Sequence, residues 1–238
     1  MHPLIRTART TGLLYLGLGL AGVLGFLTIR PMIFDAGDAD TTLANLVANE
    51  SLARLGVALE LLLVLTQTLA AVWFYRLFRT VDSTAAGSIA VFGIVNAVAI
   101  LGSAAMLATA VGVATGGYGD PADTVQLLYL VSENLWGVGG LFFGLWLMPM
   151  GWCVLRSGWL PRALGWILVA GGVGYVLMTF MRYLAPGAGV AGDLLVIPAT
   201  VGEFWILGYL IIFGVRKRAL TEAPHAAPTA PLAIRSPA

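Results

Sequence analysis

Leu55-Gly56-Val57-Ala58-Leu59-Glu60-Leu61-Leu62-Leu63-Val64-Leu65-Thr66-Gln67-Thr68-Leu69-Ala70-Ala71-Val72-Trp73-Phe74 is a long apolar run whose one ionisable side chain, Glu60, does not interrupt it. At 1.5 Å of rise per residue, about 20 such residues cover the hydrocarbon core of a bilayer. The stretch therefore reads as a transmembrane helix. A soluble domain has no surface on which a helix apolar all round is stable.

Five further segments meet the same test: Thr11–Ile29, Ile89–Thr115, Leu127–Met150, Ala163–Met181 and Leu194–Val215. Composition agrees. Of 238 residues, 59% are apolar and only 11% charged, with a mean hydropathy of +0.90. Soluble domains carry roughly 25% charged residues to cover their surface; this chain has too few. The expected fold class is all-α, a polytopic transmembrane bundle of six helices. The third segment has the least certain end, since it is long, rich in alanine and able to emerge near Gly112. The first follows Arg6 and Arg9 but is longer than a signal-peptide core and ends in no small-x-small site, so it reads as an uncleaved span.

Loop charges orient the bundle. Arg6, Arg9, Arg76, Arg79, Arg156, Arg162, Arg216, Lys217 and Arg218 flank one side, against Arg30, Arg54 and Arg182 on the other. Basic flanks stay cytoplasmic, so both termini are expected inside a cell inner (plasma) membrane. Asp35, Asp38, Asp40, Glu50, Asp120, Asp123 and Asp193 collect opposite. Residues 1–218 form the expected six-span domain. Residues 219–238, with Ala223-Pro224-His225-Ala226-Ala227-Pro228, are too poor in large apolar side chains to offset their ordering entropy and read as a disordered cytoplasmic tail.

The longest connection, residues 31–54, contains the amphipathic stretch Thr42-Leu43-Ala44-Asn45-Leu46-Val47 and an i, i+4 pair, Glu50 and Arg54, so a surface helix leading into the second span is expected. Gly140 and Gly144 form a small-xxx-small step, read as packing within the bundle ahead of a dimer seam. The oligomeric state stays open. Cys153 stands alone, and His2 and His225 lie in terminal segments, so neither a disulfide nor a metal centre nor a histidine proton shuttle is expected. No phosphate loop, nucleophile elbow or cofactor motif occurs. A net charge of +1 argues against nucleic acid as a partner.

Phe142-Phe143-Gly144-Leu145-Trp146-Leu147-Met148-Pro149-Met150-Gly151, continuing into Arg156-Ser157-Gly158-Trp159-Leu160-Pro161-Arg162-Ala163-Leu164-Gly165, resembles the central signature of a bacterial membrane family, domain of unknown function 4386. Ala8-Arg9-Thr10-Thr11-Gly12-Leu13-Leu14-Tyr15, Glu50-Ser51-Leu52-Ala53-Arg54-Leu55-Gly56 and Gly202-Glu203-Phe204-Trp205 extend the likeness over about residues 6 to 218. The resemblance implies a multi-span membrane protein. It brings no activity and no catalytic residues with it.

Three carboxylates lie inside the apolar runs: Glu60, Glu133 and Glu203. An ionisable side chain at mid-membrane costs about 2.5–3.5 kcal/mol on insertion scales, so it faces the bundle interior and marks a functional site by default. The three depths overlap, which makes one shared chamber an expectation, with these glutamates as its acid/base groups. Gln67 shares a face with Glu60; Asn134 adjoins Glu133; Trp136 and Trp205 lie beside Glu133 and Glu203; Arg54 and Arg182 stand at span ends within reach of the carboxylates. Asn96 reads as separate, nearer the cytoplasmic side. Pro198 removes a backbone donor above Glu203.

Two readings stand for Glu60 and Glu133, a site or a brace tied to arginine or headgroup water. Glu203 is deep enough to favour a site. A carboxyl kept neutral in apolar surroundings donates a proton or a hydrogen bond, and aromatic faces steady cations. The leading expectation is thus an intramembrane acid/base or binding site for a lipophilic, isoprenoid-like molecule open to the outer leaflet. In its enzymatic form it runs a proton-initiated cyclisation or isomerisation, by class-level analogy alone. A proton-coupled transporter and a non-catalytic accessory or sensor subunit are the alternatives.

Overall fold

The fold was read from a computed structural model, which describes residues 2–116, 120–185, 187 and 189–216. The tail expected at 219–238, with Lys217 and Arg218, lies outside the described residues.

Among the described residues the chain is all helical, with six helices long and apolar enough to cross a membrane: span 1 (Pro3–Ile33), span 2 (Glu50–Phe78), span 3 (Ser83–Gly116), span 4 (Pro121–Ser157), span 5 (Arg162–Leu184) and span 6 (Gly189–Ile212). Each expected segment is present. Most are longer than their apolar core, because backbone hydrogen bonding continues through the polar flanks. Span 4, for example, runs past Met150 to Ser157, where Gly158 takes a left-handed conformation (φ 65°) and stops it. Between 22% and 44% of each span's apolar window is buried. The remainder turns Leu, Val, Ile and Phe outward, a surface that suits lipid and would aggregate in water.

Each span packs on its chain neighbours and span 6 returns to span 1, so the six close into a ring. The expected surface helix is Ala39–Ala48; Asp38 caps it by accepting the Thr41 N–H at 3.0 Å, and Thr42 and Leu46 are buried beneath it. The Glu50–Arg54 pair forms at 2.7 Å on the exposed face.

Two devices hold the ring. The first is a glycine seam. A Cβ on Gly144 would lie 2.7 Å from the Gly172 carbonyl, and one on Gly174 would overlap the Leu195 carbonyl. The Gly140–Gly144 step thus packs spans 4 and 5 inside this bundle, and Gly174 brings spans 5 and 6 backbone to backbone. The second is a polar clasp at the end of the bundle that carries Arg76, Arg79, Arg156 and Arg162, here the basic end. Asp82 accepts the Ala85 N–H at 3.0 Å, the Trp152 indole N–H at 3.2 Å and Arg156 Nη1 at 3.3 Å, tying the span 2–3 loop to span 4. These donors, the Ala85 amide foremost, hold the Asp82 carboxyl below the usual carboxylate range.

Gly174→Ala should therefore cost about 1–3 kcal/mol through overpacking, read as a lower unfolding midpoint in detergent. Gly112→Ala, where a Cβ meets nothing within 4 Å, should be neutral or stabilising. The clasp has a sign in pH. A depressed carboxyl stabilises the fold above its unfolded-state value and loses that contribution as pH falls through the folded one. Asp82→Asn should thus lower the midpoint at neutral pH and flatten its decline at acid pH; an unchanged acid limb would contradict this role.

Candidate functional site

Span 1 does not run as a uniform α-helix. Val23–Ile29 forms a π-helical stretch, where Thr28 Oγ1 donates to the Val23 carbonyl five residues back at 3.0 Å, and Pro31 follows as a residue with no amide hydrogen. Such insertions re-aim side chains and recur at functional sites. Here the insertion aims two groups inward. Phe26 stacks on Trp136 of span 4 with centroids 4.3 Å apart, and Arg30 turns into the bundle at 7% exposure.

Arg30 Nη2 lies 3.0 Å from Glu60 Oε1, donates to Ser132 Oγ at 2.6 Å, and has Ser103 Oγ at 3.4 Å. Ser103 donates to Glu60 Oε2 at 2.8 Å, and the Trp136 indole N–H donates to Glu60 Oε1 at 3.2 Å. Spans 1, 2, 3 and 4 thus meet at one charged, fully enclosed knot. The guanidinium also sits over the Phe26 ring, 4.9 Å from its centroid. This corrects two expectations. Arg30 is not a headgroup-facing flank, and the partner of Glu60 is neither Arg54 nor Arg182. The physical reason is the π turn, which rotates Arg30 off the lipid face.

Beside the knot, towards the middle of the spans, is a cavity of about 440 Å³. It stretches along span 1 from Tyr15 to Leu27, about 18 Å of helical rise. Its wall is chiefly apolar and aromatic: Leu18, Phe26, Trp136, Phe143, Tyr175 and Leu207. Four polar side chains reach it, Gln67, Asn96, Thr200 and Glu203. Glu203 accepts a hydrogen bond from the Tyr15 hydroxyl across the ring closure between spans 1 and 6. Gln67 is 1% exposed, and among the described residues neither its amide nitrogen nor its amide oxygen has a partner. A buried, unpaired amide costs roughly 1–3 kcal/mol per group.

The cavity opens sideways. Spans 1 and 6 touch at the basic end, where Gly12 fits against Leu210 and Ile211 and Arg9 Nη2 donates to the Ile212 carbonyl at 3.1 Å. From the level of the Tyr15–Glu203 bridge upward the cavity lies between them, and its rim residues, Val23 and Leu27 above the bridge and Phe204 beside it, are 47%, 65% and 70% exposed. That rim is apolar and suits lipid.

The expected single chamber for three glutamates is not what the structure holds. Glu203, Gln67 and Trp136 share the cavity. Glu60 lies behind it, linked through the Trp136 indole and, by way of Arg30, through the Phe26 ring. Glu133 is half-exposed and paired with Arg182 at 3.4 Å. Asn134 is exposed and returns its amide to the Leu130 carbonyl at 3.0 Å. Trp205 faces outward, and Arg54 is spent on Glu50. The reason is angular: depth along a helix was readable from numbering, whereas the face each carboxyl presents depends on how the helices are rotated. Asn96, expected apart, lines the cavity instead. Sequence reasoning misses Tyr15, Arg30, Ser103 and Ser132; the signals are an arginine before Pro31 and hydroxyls inside long apolar runs.

The family model described as Domain of unknown function (DUF4386) matches residues 10–214, which takes in all of the six-helix ring but the first residues of span 1. The chain belongs to this DUF4386 family. Searches among curated proteins and among solved structures each return no match. In this DUF4386 chain the knot and the cavity therefore stand on their own geometry.

The knot is testable. Removing one partner of a buried ion pair costs about 3–5 kcal/mol, while replacing both by apolar groups is near neutral. Arg30→Met and Glu60→Leu should each destabilise strongly, and the double substitution should recover most of the unfolding midpoint; a double variant no better than the singles would contradict the pairing.

Proposed function

We propose that this membrane protein binds a lipophilic small molecule that enters from the bilayer between spans 1 and 6. The observation that carries the reading is Gln67, a fully enclosed amide with no partner on the wall of an otherwise apolar cavity. Hydrogen-bonding groups of this kind are satisfied in the functional state, and a ligand of mixed character does so. An apolar body fits the aromatic wall, and a polar end meets Gln67, Asn96 and Glu203. Ligand sites have this make-up, chiefly apolar with a few placed polar groups.

On the positive-inside rule we read both termini as cytoplasmic from the basic flanks, which puts Val23 and Leu27 in the outer half of the bilayer and Phe204 near its middle. Glu203 with Tyr15 is the group we assign to the site. Glu60 and Glu133 we assign to bracing, each with its arginine. If the site performs chemistry, the Tyr15–Glu203 pair is its acid/base group, since Glu203 alone among the three carboxylates lines the cavity.

Gly19 provides the test. It lines the cavity, and a Cβ there meets nothing within 4 Å, so Gly19→Leu adds bulk at the chamber with its first side-chain atom clear of every neighbour. The variant should keep its unfolding midpoint and lose most of whatever lipophile co-purifies with the wild type, measured by mass spectrometry of extracted protein. Equal retention by the two would refute a bound ligand in this cavity.

A further inference from the structure

The charge balance of the cavity narrows its ligand. Among the described residues that line it there is one carboxylate, Glu203, and no Lys, Arg or His. Arg30, behind Phe26, is matched by Glu60, so the knot adds no net charge to the chamber. Arg9 is at the basic end, below the Tyr15–Glu203 bridge, with its Nη2 on the Ile212 carbonyl. The titratable and charged groups turned toward Glu203 are Tyr15 from span 1 and Tyr175 from span 5, both acidic or neutral. Around them stand the rings of Phe26, Trp136, Phe143 and Phe204. Six aromatic rings and one carboxylate make a negative, poorly hydrated pocket, in which ring faces attract cations more strongly than at an exposed site. The chain already seats one cation on this wall, the Arg30 guanidinium over Phe26 at 4.9 Å.

We propose that the cavity between spans 1 and 6 selects lipophilic cations, amines or quaternary ammonium compounds with an apolar tail, whose charged head is held by Glu203 and the surrounding aromatic rings. The proposal rests on the reading of the cavity as a lipophile site and adds the charge of the ligand. The uncoupled acceptor on Gln67 and the Asn96 amide fit the same head, since a carbonyl oxygen solvates an ammonium group as a carboxylate does. An anionic head would face Glu203 with no cation to offset it, and like charges in a low-dielectric chamber repel steeply. A neutral head would fill the space and leave the carboxylate without a charge partner. The tail leaves through the rim at Val23, Leu27 and Phe204 into the bilayer.

Three probes with one tail separate the cases: dodecyltrimethylammonium, dodecanol and dodecanoate, each competing with radiolabelled dodecyltrimethylammonium for the full-length protein in nanodiscs. The cation should bind one per chain, dodecanol should compete at least tenfold more weakly, and dodecanoate should not compete. Glu203→Gln should weaken cation binding at least tenfold, Glu203→Asp should restore part of it, and Glu133→Gln should leave it unchanged. The competition on the wild type stands even where a Glu203 variant fails to fold. Equal competition by dodecanol, with Gly19→Leu still abolishing binding, would overturn the cation assignment while leaving the lipophile site intact. Binding of all three probes unaffected by Gly19→Leu would remove both.

Discussion

The buried pair of Arg30 and Glu60 sets the shape of the molecule. A guanidinium cannot be left in hydrocarbon, and bringing it inside requires a carboxylate and hydroxyls to meet it. Span 1 meets that demand with a π turn that swings Arg30 onto spans 2, 3 and 4, where Glu60, Ser103 and Ser132 converge. Drawing this end of span 1 towards those helices takes it away from span 6. At the basic end nothing pulls it off, and Gly12 keeps the two backbones close. The ring is therefore shut at one end and parted at the other, and the cavity is the parting.

The opposite side of the ring is built for the reverse purpose. Glycines on spans 4 and 5 bring these two backbones within van der Waals contact of each other and, at Ala199 and Leu195, of span 6, where lipid cannot penetrate. Without a hydrophobic force between helices in a bilayer, such close packing and the few polar ties supply the cohesion. Trp146, Phe74 and Tyr15 fill the centre with edge-to-face contacts at 5.5–6.0 Å, so the floor of the cavity rests on a closely packed aromatic layer. A rigid half and a parted seam make a chamber whose shape is held from behind and whose access is lateral.

Much of this was readable without coordinates. Six apolar runs, a surface helix around Thr42–Val47, the i, i+4 pair of Glu50 and Arg54 and the role of Gly144 in packing follow from periods and lengths that act locally. Glu203 was picked out by depth alone, and depth is a matter of counting residues. The pairing of Glu60 was misassigned because Arg30 looked like a headgroup-facing flank; a π insertion of one residue reverses that reading and leaves no sequence mark beyond Pro31. Asn96 was set apart for a related reason, since its height was judged while the rotation of span 3 was unknown.

Composition and spacing by themselves determined that the chain is a six-helix membrane bundle, where its helices lie and which acids sit deep, because each of these depends only on the cost of polar groups in hydrocarbon and on the rise of a helix. Only the tertiary structure decided that Glu203 faces a chamber with Tyr15, Gln67 and Asn96 while Glu60 and Glu133 are tied to arginines. That choice depends on the rotation of each helix about its axis. Rotation is set by contacts between residues far apart in the chain, as between Arg30 and Ser132 or Tyr15 and Glu203.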